Sequence, residues 1–151
     1  MPKIEKITKQ TENPYVNLYL VEGKNKVDHP FRYYVASRAK TMEALKIKTK
    51  KNTPDGVLMY SLYGAKRDKI VLVRQYRVSI DDYIYEFPAG LVESGEEFHE
   101  AAVREMHEET GLTFHPLKVD PCYEKPFFTT IGMTDEACSA VYGWCEGEIS
   151  R

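Results

Sequence analysis

Three glutamates, Glu105, Glu108 and Glu109, lie within five residues of one another in a stretch whose apolar residues recur at helical spacing. On an α-helix, side chains three and four apart share a face, so these carboxylates project from nearly one side. Crowded there, they repel one another unless a cation sits among them. Mg²⁺ or Mn²⁺ suits that place, because hard cations take carboxylate and carbonyl oxygens and keep positions for water and phosphate. A metal held this way stabilises phosphate charge and lowers the pKa of a bound water that attacks phosphorus. Arg104 precedes Glu108 by four residues, the spacing for a pair that orients the cluster. The plainer reading is an acidic stripe on a solvated helix. Against it, the apolar face, Gly90, Gly111 and Arg104 all occur in register with the acids. Gly90 is expected to let the backbone turn tightly ahead of the helix, so that the Ala89 carbonyl reaches the same metal.

Several elements must position this cluster. From Glu96 to Thr110 the apolar residues Phe98, Ala101, Ala102, Val103 and Met106 mark one helical face, and Gly111 is a natural stop. Tyr15 to Val21 reads as a strand, residues 22–26 as a turn and Phe31 to Ala36 as a second strand. One helical turn is expected around Met42 to Leu45, and Pro54-Asp55-Gly56 breaks the chain. Val57 to Tyr63, Ile70 to Tyr76 and Tyr83 to Phe87 read as strands, the last stopped by Pro88. β-like segments resume near Leu117 to Val119 and Ala137 to Trp144. The expected organisation is an N-terminal antiparallel strand segment over 1–54 and a catalytic domain over 55–151.

The 151 residues are 42% apolar and 29% charged, the balance of one soluble domain with a single core. A net charge of −2 gives no bulk case for nucleic-acid binding. The one dense basic run, Lys46 to Lys51, is read as a solvated loop. Three cysteines without CxxC spacing argue for reduced thiols in a cytoplasmic setting and against zinc. MPKIEKITKQ has no apolar signal region, and no stretch is long and apolar enough to cross a bilayer.

Residues 90–112, GLVESGEEFHEAAVREMHEETGL, resemble the Nudix box, G-x5-E-x7-R-E-U-x-E-E-x-G-U with U bulky and apolar. The matching positions are Gly90, Glu96, Arg104, Glu105, Met106, Glu108, Glu109, Gly111 and Leu112. With each specified residue at roughly 5–7% usage, a chance match is on the order of one in a billion per starting position. Val71 to Arg77 (VLVRQYR) followed by Tyr85 to Gly90 (YEFPAG) resembles the LVRQYR…ExPAG signature of ADP-ribose pyrophosphatases and related nucleoside-diphosphate-sugar pyrophosphatases.

That resemblance implies an α/β fold: a Nudix α/β/α sandwich with a mixed curved sheet, preceded by an N-terminal antiparallel segment. In that branch the segment exchanges between subunits to make a homodimer, a role that residues 15–37 suit. Carried over, Ala89 (by its carbonyl), Glu105 and Glu109 are metal ligands, and Glu108 shares a metal or serves as base. Arg77 and Arg74 hold the diphosphate, as guanidinium favours phosphate oxygens; the alternative is that both are strand-edge surface charges. Glu86 either binds metal through water or supports Arg77. The loop from Ile131 to Glu136 resembles the SPGxxxE loop, whose acid touches a ribose, although Thr130-Ile131 stands where Ser-Pro is usual. Phe31, Tyr33 and Tyr34 are candidates to stack on adenine, against an ordinary core or interface role. Relatives continue past a strand like Ala137–Trp144 with a further acidic loop, a strand and a closing helix. That acidic loop often supplies the general base, so no base is assigned there, and the third layer is expected to be incomplete. The implied reaction is hydrolysis of ADP-ribose to AMP and ribose 5-phosphate. Alternatives are the same chemistry on a UDP- or GDP-sugar, or a module that senses the nucleotide without turnover.

Overall fold

The computed structural model describes residues 2–150. The chain divides into two compact units, residues 1–53 with 128–137, and residues 54–127 with 138–151.

In the first unit, β1 (Lys3–Lys9), β2 (Asn17–Lys24) and β3 (Pro30–Ser37) form an antiparallel meander with β2 in the middle. The central strand carries the β-branched and aromatic residues, and Tyr19, Leu20 and Val21 are buried. The β2–β3 register runs from Asn17↔Ser37 to Lys24↔Pro30. Its turn is closed by Asn25, whose Oδ1 accepts from the amides of Val27 and His29 at 2.9 and 3.0 Å. Both strands follow the sequence pattern, but Glu22, Gly23 and Lys24, read as part of the turn, extend β2 and pair with β3, so the reversal falls at residues 25–29. The edge strand β1 does not follow the pattern, because most of its side chains are exposed and carry little apolar signal. It passes close over Gly23, where an added Cβ would lie 2.2 Å from the Lys3 carbonyl oxygen.

The helical turn expected at Met42 to Leu45 forms instead as α1 (Lys46–Thr49), inside the lysine run read as a solvated loop. Leu45 is 2% exposed and anchors the turn from its N-terminal side. The Asp135 carboxylate accepts from the Lys46 amide at 3.2 Å, so a buried contact rather than local propensity decides where the turn begins.

In the second unit the long strands are β4 (Gly56–Tyr63) and β11 (Ala137–Glu146), which run parallel with Met59 opposite Val141. Between them in the chain come β5 (Lys69–Ile70), β6 (Val73–Arg77), β7 (Asp82–Glu86), β8 (Ala89–Leu91), the helix α2 (Phe98–Thr110), β9 (Thr113–Pro116) and β10 (Phe127–Phe128). The mixed sheet follows the order β10-β11-β4-β5, with β8 on β4 and β9 on β11. Alternate residues Val57, Met59 and Ser61 of β4 and Ser139, Val141 and Cys145 of β11 are buried. Ala101, Ala102 and Met106 of α2 join Val57, Met59, Val141 and Phe114 in one apolar core. The other sheet face carries an aromatic row. Tyr60 has its ring 5.5 Å from Phe87 and 6.0 Å from Tyr142, and Trp144 stacks on His115 at 4.1 Å. This face is only partly covered, with Tyr60 at 37% exposure.

Three boundaries differ from the sequence reading. The strand expected over Ile70 to Tyr76 breaks after β5, because Val71 turns into the core and its amide bonds the Ser61 carbonyl at 3.1 Å. The chain then leaves as the separate hairpin β6–β7. The segment expected at Leu117 to Val119 lies earlier, as β9, because Leu112 and Phe114 enter the core and Leu117 does not. The helix starts at Phe98 rather than Glu96, since the Glu97 carboxylate accepts from the His99 amide at 2.8 Å and caps it. Its end follows the sequence: Gly111 takes φ 77° and its amide bonds the His107 carbonyl.

Candidate active site

Strand β8 lies antiparallel on the start of β4, with Val57 opposite Gly90 and Leu58 opposite Ala89, and α2 packs beside both. Gly90 is not the site of a tight turn, as the sequence suggested; it sits inside the strand. A Cβ there would stand 1.9 Å from Glu105 Cδ and 2.2 Å from Cγ and Oε1. Its smallness lets the Glu105 side chain rest directly against the strand backbone. One turn further along α2, Glu109 Oε2 accepts the Ala89 N–H at 3.2 Å. Two of the three acids thus converge on the two residues Ala89 and Gly90.

Arg104 organises the helix side. Its Nε and Nη2 form a two-pronged bond to the Glu96 carboxylate, each at 2.9 Å, and Nη2 also donates to the Leu91 carbonyl at 3.0 Å. Nη1 reaches Glu105 Oε1 at 2.9 Å, while Glu108 is more distant at 3.5 Å. The pair with Glu108 that the helical spacing pointed to is thus present, but it is not the tightest. The turn at residues 93–96 instead brings Glu96 back over the helix, helped by the Glu93 amide bonding Glu96 Oε2 at 2.9 Å. The fork geometry favours such a planar pair over one helical i,i+4 contact. The Arg104 guanidinium and then the Glu93 amide hold the Glu96 carboxyl at about 2. Arg104 itself is raised, first by Glu96 and then by Glu105. The Leu91 carbonyl has no signal in the sequence, because any residue supplies one.

On the hairpin, Arg77 and Glu86 pair side by side, Nε to Oε1 at 2.8 Å and Nη2 to Oε2 at 2.9 Å. Arg77 is raised, chiefly by Glu86, and Glu109 adds to the effect. Burial raises the Glu109 carboxyl above its ordinary value, with Glu105 and Glu86 adding; the Ala89 N–H and Arg77 oppose. Arg77, Glu86, Glu105 and Glu109 therefore form one electrostatic neighbourhood. Arg74 lies three residues from Arg77 on a strand of period two, hence on the other hairpin face, and its guanidinium covers the Tyr83 ring at 4.3 Å.

As the side chains stand, no three His, Cys, Asp or Glu groups among the described residues gather tightly enough to ligate one ion. Glu105 is engaged by Arg104, and Glu109 by the Ala89 amide. The donors are nonetheless hard oxygens, as Mg²⁺ or Mn²⁺ requires. Glu109 is raised chiefly by burial, with the neighbouring Glu105 and Glu86 carboxylates adding to it. The chemistry of the set fits a divalent cation.

The remaining candidates lie in the first unit. Glu136 is paired with Arg38 at 2.8 Å. Tyr33 donates its hydroxyl to the Gly132 carbonyl, which fixes its ring on the meander. Tyr34 is exposed, and Phe31 packs against Gly23.

This sheet with one long helix, carrying acids that meet a short strand, defines a Nudix-type domain. Residues 52–147 match the NUDIX domain family, and the chain belongs to that family. It is 35% identical over 80 residues to an ADP-ribose pyrophosphatase of Saccharomyces cerevisiae, a stretch covering 52% of this chain and 35% of that one. It is 36% identical over 87 residues to an ADP-sugar pyrophosphatase of Mus musculus, covering 56% and 40%. A crystal structure of an ADP compounds hydrolase shares the fold at a TM-score of 0.71 and 18% identity, over 99% of this chain and 71% of that one. The matched stretches span well under half the length of those two curated relatives.

Proposed function

We propose that this chain carries the catalytic domain of a divalent-metal hydrolase that splits ADP-ribose, with water, into AMP and ribose 5-phosphate. The observation that carries the reading is the convergence of Glu105 and Glu109 on the backbone of Ala89 and Gly90, beside Arg77, whose guanidinium is paired with Glu86 and still half-exposed. Glu105, Glu109 and the Ala89 carbonyl would hold Mg²⁺ or Mn²⁺, and Glu108 would share the metal or take the proton from water. When bound, the cation screens the diphosphate and acidifies water. Arg104 keeps Glu105 in place. Arg77, steadied by Glu86, receives the diphosphate, and its position on the Glu109 side of the hairpin favours it over Arg74. Glu136 is assigned to a ribose hydroxyl. The adenine-containing substrate is supported by the names of the yeast and mouse relatives. A UDP- or GDP-sugar would use the same chemistry with different base contacts.

The protein is further assigned to the cytoplasm as a homodimer. All three cysteines are free thiols, and no helix among the described residues is long and apolar enough to cross a membrane. The antiparallel segment over residues 15–37 is the part proposed to exchange between subunits, and the hairpin β6–β7, which exposes Val78, Ile80, Tyr83 and Tyr85, adds apolar surface. Light scattering on a sizing column tests the dimer.

The direct test is AMP release from ADP-ribose with Mg²⁺, with Glu109→Gln alongside and UDP-glucose and GDP-mannose in parallel. AMP from ADP-ribose alone, abolished by the substitution, is expected. Turnover of another sugar nucleotide would overturn the substrate. Metal-dependent ADP-ribose binding without turnover would mean either a sensor or a base supplied from outside these residues, and a C-terminally longer chain would separate the two.

A further inference from the structure

His99, in the first turn of α2, is held from two sides. Its Nδ1 lies 3.0 and 3.1 Å from the two oxygens of Glu97, and its Nε2 lies 2.8 Å from Glu124 Oε1. Ionised carboxylates only accept hydrogen bonds, so both ring nitrogens must donate, and only the doubly protonated imidazolium does that. A neutral ring keeps one N–H and turns a lone pair toward the other carboxylate. Glu124 closes a 3-10 turn over Pro121–Tyr123, where the Asp120 carboxylate accepts from the Cys122 amide and the Asp120 carbonyl from the Tyr123 amide. Its own carbonyl accepts from Ser139 of β11 at 2.9 Å. The His99 bond is a side-chain tie between this segment and the helix that carries the acidic cluster.

We propose that His99, clasped by Glu97 and Glu124, is a pH-operated latch that fastens the segment at residues 120–126 to the start of the helix. Two carboxylates act on it, Glu97 from its own helix and Glu124 from the segment. The other titratable or charged groups on these two elements are Glu100 on the helix and Asp120, Lys125 and the neutral Cys122 thiol on the segment; Asp120 is already engaged by Cys122. Burial alone lowers the His99 pKa, but the bonds to Glu124 and Glu97 outweigh it and the net direction is up from 6.5. A histidine raised on folding stabilises fully below 6.5 and loses that contribution as pH rises through its folded value. The latch is therefore tightest in mildly acidic solution and weakens above the raised value, where one ring N–H must serve two carboxylates. None of the groups involved belongs to the metal cluster, so the latch stands or falls independently of the proposed hydrolysis.

The experiment follows the His99 ring by NMR against pH and, in parallel, hydrogen exchange of the Cys122, Tyr123 and Glu124 amides, corrected for intrinsic rates. Protection of these amides is expected to fall about three- to tenfold as His99 loses its proton. Glu124→Gln should return the His99 midpoint toward 6.5 and weaken the step. His99→Gln should make protection independent of pH over the same range. Unchanged protection through the His99 titration, a midpoint below 6.5, or a pH step that survives in His99→Gln would each overturn the latch.

Discussion

Replacing Gly90 by alanine tests how the site is built. The new Cβ would fall 1.9 Å from Glu105 Cδ, and Cβ contacts essentially never fall under 3.0 Å, so the Glu105 carboxyl must move by at least about 1.1 Å. Moving strains its bond to Arg104, which holds the same Oε1 at 2.9 Å. Strand β8 is pinned in turn by its register with β4, and the Gly90 carbonyl lies only 2.8 Å from where a Cβ on Gly56 would sit. Overpacking of this kind costs about 1–3 kcal/mol. In a domain of this size that lowers the melting temperature by about 2–4 °C per kcal/mol. The effect on turnover should be larger: a misplacement of about 1 Å in a catalytic group costs on the order of a hundredfold. The assays are kcat for AMP release, the melting temperature and Mn²⁺ affinity. In a chain that already carries Glu105→Ala, the same change at Gly90 should have little further effect on either metal binding or stability, because the clash is gone. A folded Gly90→Ala protein with kcat and Mn²⁺ affinity within about twofold of the parent would refute the reasoning.

Three further outcomes follow from the same geometry. Glu109 is raised by burial, and an acid raised on folding costs stability above its folded pKa. Glu109→Gln should therefore melt no lower than the parent in metal-free buffer at pH 8 while losing turnover; a clear drop in melting temperature there would contradict this. Arg104→Lys loses the fork onto Glu96, so the Glu96 carboxyl, held at about 2, should climb toward 4.5 in an NMR titration. Since a depressed acid stabilises above its unfolded pKa and loses this as pH falls through its folded value, the variant should unfold at higher pH than the parent during acid titration. Arg77→Ala should raise KM for ADP-ribose at least about tenfold, and Arg74→Ala should change it little, because the two guanidiniums sit on opposite hairpin faces. Equal effects from both would overturn that division.

Much of the local structure was legible in the residues. The apolar spacing of α2, its glycine stop, β4, β11 and the β2–β3 pair all rest on periodicity and turn chemistry, which act over a few neighbours. The misreadings share one cause. Val71 ends a strand because Ser61 and the core take it, and α1 starts at Lys46 because Leu45 is buried and Asp135 meets its amide. Strand β1 shows too little alternation to be read, since its partner β2 supplies most of the order. Gly90 looked like a turn glycine, and its real constraint is a side chain fifteen residues away.

The sequence by itself determined the family, the helix and the face on which Glu105, Glu108 and Glu109 stand together, because helical geometry converts spacing into direction without reference to anything distant. Tertiary structure alone decided that Glu96, not Glu108, takes the fork of Arg104, and that Glu105 and Glu109 meet the backbone of β8. It also set the Arg77 face of the hairpin, rather than the Arg74 face, on the Glu109 side. Those choices depend on how β8, the turn at residues 93–96 and the hairpin are brought against the helix. Contacts between segments far apart in the chain are energetically shared by many residues, so no short stretch of sequence records them.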